Sequence, residues 1–165
     1  MQSLYLDFWR NLQHSSFLVF ETSVLNTFRK YRQNSCFAAE AGGILIGRAY
    51  ELGYIIKLAT EPQLTDHRYR MLFERFPIGH QQIADTIYRQ SHGKDVYLGE
   101  WHTHFETHPI PSTIDREEWR VLAVRRGRLP LICVIVGTED LHVELVRPMM
   151  SELFVPVSEV IQSPQ

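Results

Sequence analysis

Residues 129–136 (LPLICVIV) are apolar at every position. Eight residues is the length of a strand and far short of the roughly 20 a membrane span needs. Successive side chains of a strand point to opposite faces, so a strand apolar throughout must be covered on both. A sheet with one wet face is therefore excluded, and helices packed on either side of a central sheet are required.

The rest of the chain supplies such helices and strands. A β-prone stretch, residues 15–21, leads to Thr22 or Ser23, either of which can cap a helix with Val24, Leu25, Phe28 and Tyr31 on one face. Residues 40–51 and 54–60 read as two strands of a hairpin turning at Gly53. Residues 63–77 are ambiguous; the spacing of Met71, Phe73 and Phe76 favours a strand in the second half. A helix is predicted over 79–91, with Ile83, Ala84, Ile87 and Tyr88 on its inner side and Gly93 as its stop. Residues 96–104 are a strand, and 109–111 a proline loop. Residues 112–126 are a helix whose positive end carries a cap and acidic residues, Asp115, Glu117 and Glu118. Residues 141–146 alternate Leu141, Val143 and Leu145 inward. Pro156 confines 152–157 to an edge strand, and 158–165 is expected to fray. The predicted fold class is α/β, one mixed sheet flanked by helices, in a single domain over residues 1–157.

Composition narrows the function. The chain has 165 residues, 44% hydrophobic and 22% charged, which is enough to bury about 70% of its unfolded surface without staples. A net charge of −2 gives no footprint for nucleic acid or anionic lipid, and the cluster Arg125, Arg126, Arg128 reads as a solvated helix end. Two cysteines outside any Cys-x-x-Cys exclude a disulfide framework and an all-cysteine zinc site. Residues 1–10 lack the basic flank and apolar core of a signal peptide, so the cytoplasm is expected.

Of eight histidines, His102, His104 and His108 fall within seven residues. In a strand His102 and His104 share a face, close enough to chelate one metal. Taken alone, they could equally be two polar residues at a strand's wet end. Likewise Ser112 with Asp115 three residues on is a capping box in its own right. Yet a helix starting just past the histidine strand offers Asp115 as a third ligand. Two imidazoles and one carboxylate leave a fourth position open, the catalytic type of zinc site. Ser112, at that helix start, is placed to donate to an oxyanion as well. A zinc-activated water needs a base, and Glu40 is the candidate. It precedes Gly42 and Gly43, glycines that weaken a strand unless something approaches its backbone closely. His14, His67, His80, His92 and His142 have no partner at metal spacing, and His108 reads as an exposed loop residue.

Glu40, then His102-x-His104, seven residues, Ser112, two residues and Asp115 resemble the JAMM (MPN+) metalloprotease motif with its spacing intact, as do the surrounding AEAGGILIG and GEWHTH. The resemblance implies a β-sheet with flanking helices, related to cytidine deaminases. The deaminase chemistry itself is excluded, because no His-x-Glu is followed by Pro-Cys-x-x-Cys. It implies Zn2+ held by His102, His104 and Asp115, Glu40 as general acid/base, and Ser112 as oxyanion donor. Phe105 departs from the proline common after the second histidine, which affects the shape of the loop but not the ligand spacing. EAGGILIG, HQQIAD, YLGEWHTH and Trp119 look more like a bacterial subgroup found in anti-phage CBASS operons. There the peptidase releases a cGAS-like nucleotidyltransferase, attached by its C-terminus, from target proteins. The implied partner is thus a protein substrate, an extended C-terminal tail adding a strand to an open sheet edge. Two alternatives stay open: a peptidase of another bacterial ubiquitin-like conjugation or sulfur-carrier operon, and a non-catalytic MPN scaffold.

Overall fold

The computed structural model describes residues 7–157, so the expectation for the tail at 158–165 lies outside the described residues. The order is β1 (Phe8–Asn11), β2 (Phe17–Phe20), α1 (Thr22–Tyr31), β3 (Gly42–Tyr50), β4 (Gly53–Ala59), β5 (His67–Tyr69), β6 (Leu72–Glu74), α2 (Pro77–Gln90), β7 (Val96–Thr103), α3 (Thr113–Arg126), β8 (Leu131–Val136), β9 (Leu141–Val146) and β10 (Ser151–Pro156). Eight strands form one mixed sheet, β1-β10-β9-β8-β7-β3-β4-β2, closed into a barrel, and β5 and β6 form a separate hairpin. Only β2–β4 and β7–β8 are parallel, and α3 makes the crossover between β7 and β8.

β8 behaves as its sequence requires. All six of its residues are buried. Ile132, Val134 and Val136 join the inner core with Val24, Leu25 and Phe28 of α1. Leu131, Cys133 and Ile135 pack outward against Trp119 and Ala123 of α3. Two helices on opposite faces thus account for a strand without a polar position. Full burial of one Leu or Ile side chain is worth about 1.5–3 kcal/mol, which is why this strand can lie at the centre of the molecule.

The structure corrects several expectations. β10 is no edge strand. It pairs with β9 on one side and with β1 on the other, where Pro156 faces Trp9. Pro156 is tolerated because it is the last strand residue. Neither Thr22 nor Ser23 caps α1. The N-cap is Glu21, and the Ser23 hydroxyl donates instead to the Lys57 carbonyl in β4. α2 begins at Pro77, whose missing N–H costs nothing in a first turn. Its buried residue is His80; Ile83, Ala84 and Ile87 are half-buried and Tyr88 is exposed. Arg126 is not merely solvated: its guanidinium donates to the Pro130 and Tyr97 carbonyls and lies 4.5 Å from the Tyr97 ring. The ambiguous segment resolves into the β5–β6 hairpin.

Candidate metal centre and cleft

β7 alternates as a strand must. Trp101 and Thr103 turn inward, where the Thr103 hydroxyl accepts from the Ala41 N–H at 3.0 Å. His102 and His104 turn outward beneath the start of α3. His104 lies one residue past the strand and is held by its N–H donating to the Val136 carbonyl at 3.0 Å. At the start of α3, Ser112 is the N-cap of a full capping box: its Oγ accepts from the Asp115 N–H at 3.1 Å, and Asp115 Oδ2 accepts from the Ser112 N–H at 2.7 Å. The Ser112 hydroxyl also donates to that Oδ2 at 2.6 Å. The cap therefore orients the carboxylate, with Oδ1 toward His102 and Oδ2 toward His104.

The three side chains converge. His102 Nε2 lies 3.1 Å from His104 Nε2 and 3.1 Å from Asp115 Oδ1, and His104 Nε2 lies 3.4 Å from Asp115 Oδ2. Metal–ligand bonds of about 2.0–2.1 Å at tetrahedral angles put neighbouring donor atoms about 3.3 Å apart. The observed spacing therefore fits one small cation, and imidazole nitrogens belong to a transition metal rather than to magnesium or calcium. Among the described residues, these are the group of His, Cys, Asp and Glu side chains arranged to hold a metal ion.

The cluster lies in a cleft of about 730 Å³ that is also lined by Glu40, Ser112, Phe105 and the β5–β6 hairpin. Burial pushes the Glu40 carboxyl up to about 7; Asp115 and Glu106 reinforce the rise and His104 opposes it. Burial also works against the charged forms of Asp115 and His104. For Asp115 it is outweighed by hydrogen bonds from His102, His104 and Ser112, which hold the carboxylate well below its ordinary range. For His104 the facing carboxylates outweigh it and raise the imidazole. One carboxyl poised to exchange a proton thus sits beside another held firmly as an anion, a division of labour typical of acid–base sites.

The glycine pair has the close neighbours that a glycine in a strand calls for. A Cβ on Gly43 would lie 2.2 Å from the Thr60 carbonyl oxygen, and one on Gly42 2.5 Å from the Phe73 ring of the hairpin. His108 is exposed, as expected, and bonds Asp140 at 2.8 Å. His80 is a satisfied core histidine between Thr60 and Asp66. His142 bonds the buried Glu144 and stacks on Trp119, whose ring also lies beside His102. Sequence reasoning missed this support behind the helix that carries Asp115, and also Arg68, which reaches the Glu40 backbone. The alternation of β9 puts His142 and Glu144 on one face and was a usable signal; nothing local marked Arg68.

The model of the prokaryotic homologues of the JAB domain matches residues 22–150. A protein of Pseudomonas aeruginosa (strain BWHPSA011 / Pa011) named CD-NTase/cGAS isopeptidase is 43% identical over 143 residues, 86% of this chain and 90% of that protein. Proteins of the same name from Escherichia coli (strain TW11681) and Vibrio cholerae serotype O1 are 39% and 35% identical, covering 76% and 71% of this chain and 80% and 74% of theirs. The solution structure of protein DSY2949 from Desulfitobacterium hafniense shares the fold, with a TM-score of 0.58 at 18% identity over 82% of this chain and 88% of that one. A family match across most of the chain, together with relatives aligned over most of their own length, means that this chain belongs to the prokaryotic JAB-domain family.

Proposed function

We propose that the chain is a zinc-dependent isopeptidase that releases a CD-NTase, a cGAS-like nucleotidyltransferase, from proteins to which its C-terminus has been joined, in bacterial anti-phage (CBASS) defence. The observation that carries this reading is the convergence of His102, His104 and Asp115 in one cleft with Glu40, in a chain 35–43% identical to three CD-NTase/cGAS isopeptidases. Those names favour this reading over a peptidase of another conjugation or sulfur-carrier system. A complete donor set speaks against a non-catalytic scaffold. Two cysteines that form no disulfide suit the cytoplasm, and no helix of the described residues is long and apolar enough to cross a membrane.

His102, His104 and Asp115 hold the ion, which when bound supplies Lewis acidity toward water and toward the scissile carbonyl. Glu40 takes the proton of the attacking water and delivers it to the departing lysine amine as the C–N bond breaks. Ser112 donates to the oxygen that becomes negative as water adds. The products are a free C-terminal carboxylate and a free lysine. Because the barrel is closed, the substrate tail has no edge of the main sheet to extend. The β5–β6 hairpin that walls the cleft is the edge it can use.

The test is a CD-NTase fused through its C-terminal residue to a reporter. Release of the reporter, lost in a chelator and restored by zinc, supports the reading; an intact fusion in the presence of zinc refutes it.

A further inference from the structure

The β5–β6 hairpin stands outside the barrel, yet it holds the backbone of the proposed general base. The Glu40 N–H donates to the Tyr69 carbonyl at 2.7 Å. The Arg68 guanidinium donates from Nε to the Glu40 carbonyl at 2.8 Å and from Nη2 to the Ala39 carbonyl at 3.4 Å. Glu40 precedes the first residue of β3, Gly42, and Ala41 is the residue tied to Thr103 of β7. The N–H and the carbonyl of Glu40 are therefore both held by the hairpin, while the next N–H, that of Ala41, is held by Thr103 of the barrel.

The hairpin is itself anchored. Asp66 closes its base by accepting from the Phe76 N–H at 2.8 Å through Oδ1, and its Oδ2 meets the buried His80 at 2.9 Å. His80 Nδ1 lies 2.7 Å from Thr60 Oγ1, which accepts from the Ile44 N–H in β3 at 2.9 Å. On the other side the amide of buried Gln33 bonds both the Ala38 carbonyl, at 2.9 Å, and the Arg70 carbonyl, at 3.2 Å. A continuous set of hydrogen bonds thus runs from the barrel through the hairpin to Glu40.

We infer that Arg68 is a positioning residue for Glu40, setting where its carboxylate stands in the cleft by gripping the carbonyls of Ala39 and Glu40. This rests on the reading of Glu40 as the general base. A guanidinium is a planar fork able to serve two adjacent carbonyls at once, and its charge strengthens both bonds. The Tyr31 ring, 5.8 Å from the guanidinium carbon, backs it. A misplacement of about 1 Å in a catalytic group costs on the order of 10²-fold in rate. Arg68 is exposed, so truncating it leaves the core intact.

The experiment compares Arg68→Ala, Arg68→Lys, Glu40→Gln and the Arg68→Ala/Glu40→Gln double variant on the CD-NTase–reporter fusion. Arg68→Ala lowers kcat about 10–100-fold with KM within about twofold, and bound metal is unchanged. Arg68→Lys, a single-point donor, recovers only part of that loss. Amide exchange in the peptide containing Glu40 quickens in Arg68→Ala, because the bond to Tyr69 is loosened. In the Glu40→Gln background, removing Arg68 has no further effect, since the group it positions is already gone. An Arg68→Ala enzyme with intact kcat, unchanged exchange, or a loss that persists in full beside Glu40→Gln overturns the positioning role. A Glu40→Gln enzyme that keeps most of the wild-type kcat overturns the assignment of the base instead.

Discussion

Replacing Ser112 with alanine separates two roles of one hydroxyl. Oγ accepts from the Asp115 N–H at 3.1 Å and donates to Asp115 Oδ2 at 2.6 Å, while the Ser112 N–H donates to the same Oδ2 at 2.7 Å. Alanine loses the first two bonds and keeps the third. Losing an N-cap acceptor costs about 0.5–2 kcal/mol, and with half of the box surviving the loss is about 1 kcal/mol. For a domain of this size that lowers Tm by roughly 2–4 °C. The catalytic cost is separate. An oxyanion donor is worth about 10²–10³ in kcat. The hydroxyl has one proton, already engaged by the Asp115 carboxylate, so turning it to substrate forfeits a charge-assisted hydrogen bond worth about 1.5–3 kcal/mol. That offset puts Ser112→Ala near the low end, a fall of about 10² in kcat with KM nearly unchanged. Ser112→Thr keeps both oxygen and proton and retains most of the rate. Steady-state kinetics on the fusion substrate, beside melting curves of the three proteins, separate the effects. An alanine variant that melts lower but keeps its kcat refutes the oxyanion role and leaves Ser112 a cap.

The proposed metal ligands allow a test without turnover. Zinc at about 100 times its dissociation constant stabilises the wild-type chain by about 2.7 kcal/mol, and this shift vanishes in His102→Ala or His104→Ala together with bound metal and activity; an equal shift in those variants refutes the ligand set. Glu144 predicts an acid limb of stability. Burial works against its charge, but hydrogen bonds from His142, Ser151 and Arg116 outweigh it and hold its pKa below the ordinary value. Its contribution is therefore complete above the unfolded value of about 4.3 and is lost as pH falls through the lower, folded value. Glu144→Gln, about 1–3 kcal/mol less stable at neutral pH, should close that gap on acidification in denaturant titrations, and a pH-independent gap refutes the linkage. Gly43→Ala pushes a methyl against the Thr60 carbonyl and costs about 1–3 kcal/mol, whereas Gly79→Ala meets only the movable Gln63 side chain and costs less; equal melting temperatures refute the close approach at Gly43.

Much of the site was legible because its chemistry is local. The spacing of His102 and His104 puts them on one face of any strand, and Ser112 with Asp115 three residues later is a helix start in any context. The apolar run through Val136 could only be a strand covered twice, and α1 and α3 cover it. The glycines after Glu40 announced a crowded backbone, and Thr60 and Phe73 supply the crowding. Other features depend on partners distant in the chain. Barrel closure joins Trp9 to Pro156, and a four-residue strand leaves almost no periodic trace of its own. Residues 67–74 became a hairpin because Asp66 binds Phe76 and His80 across its base, an arrangement no local spacing encodes. The raised pKa of Glu40 likewise arises only when the hairpin and α3 close around it, since desolvation belongs to the assembled cleft and not to the residue. Periodicity and capping act within a turn or two of the chain, so sequence alone determined most of the elements and which side chains are candidate ligands; closure, burial, the β5–β6 hairpin and the grip on Glu40 are contacts between distant segments, and only the tertiary structure decided them.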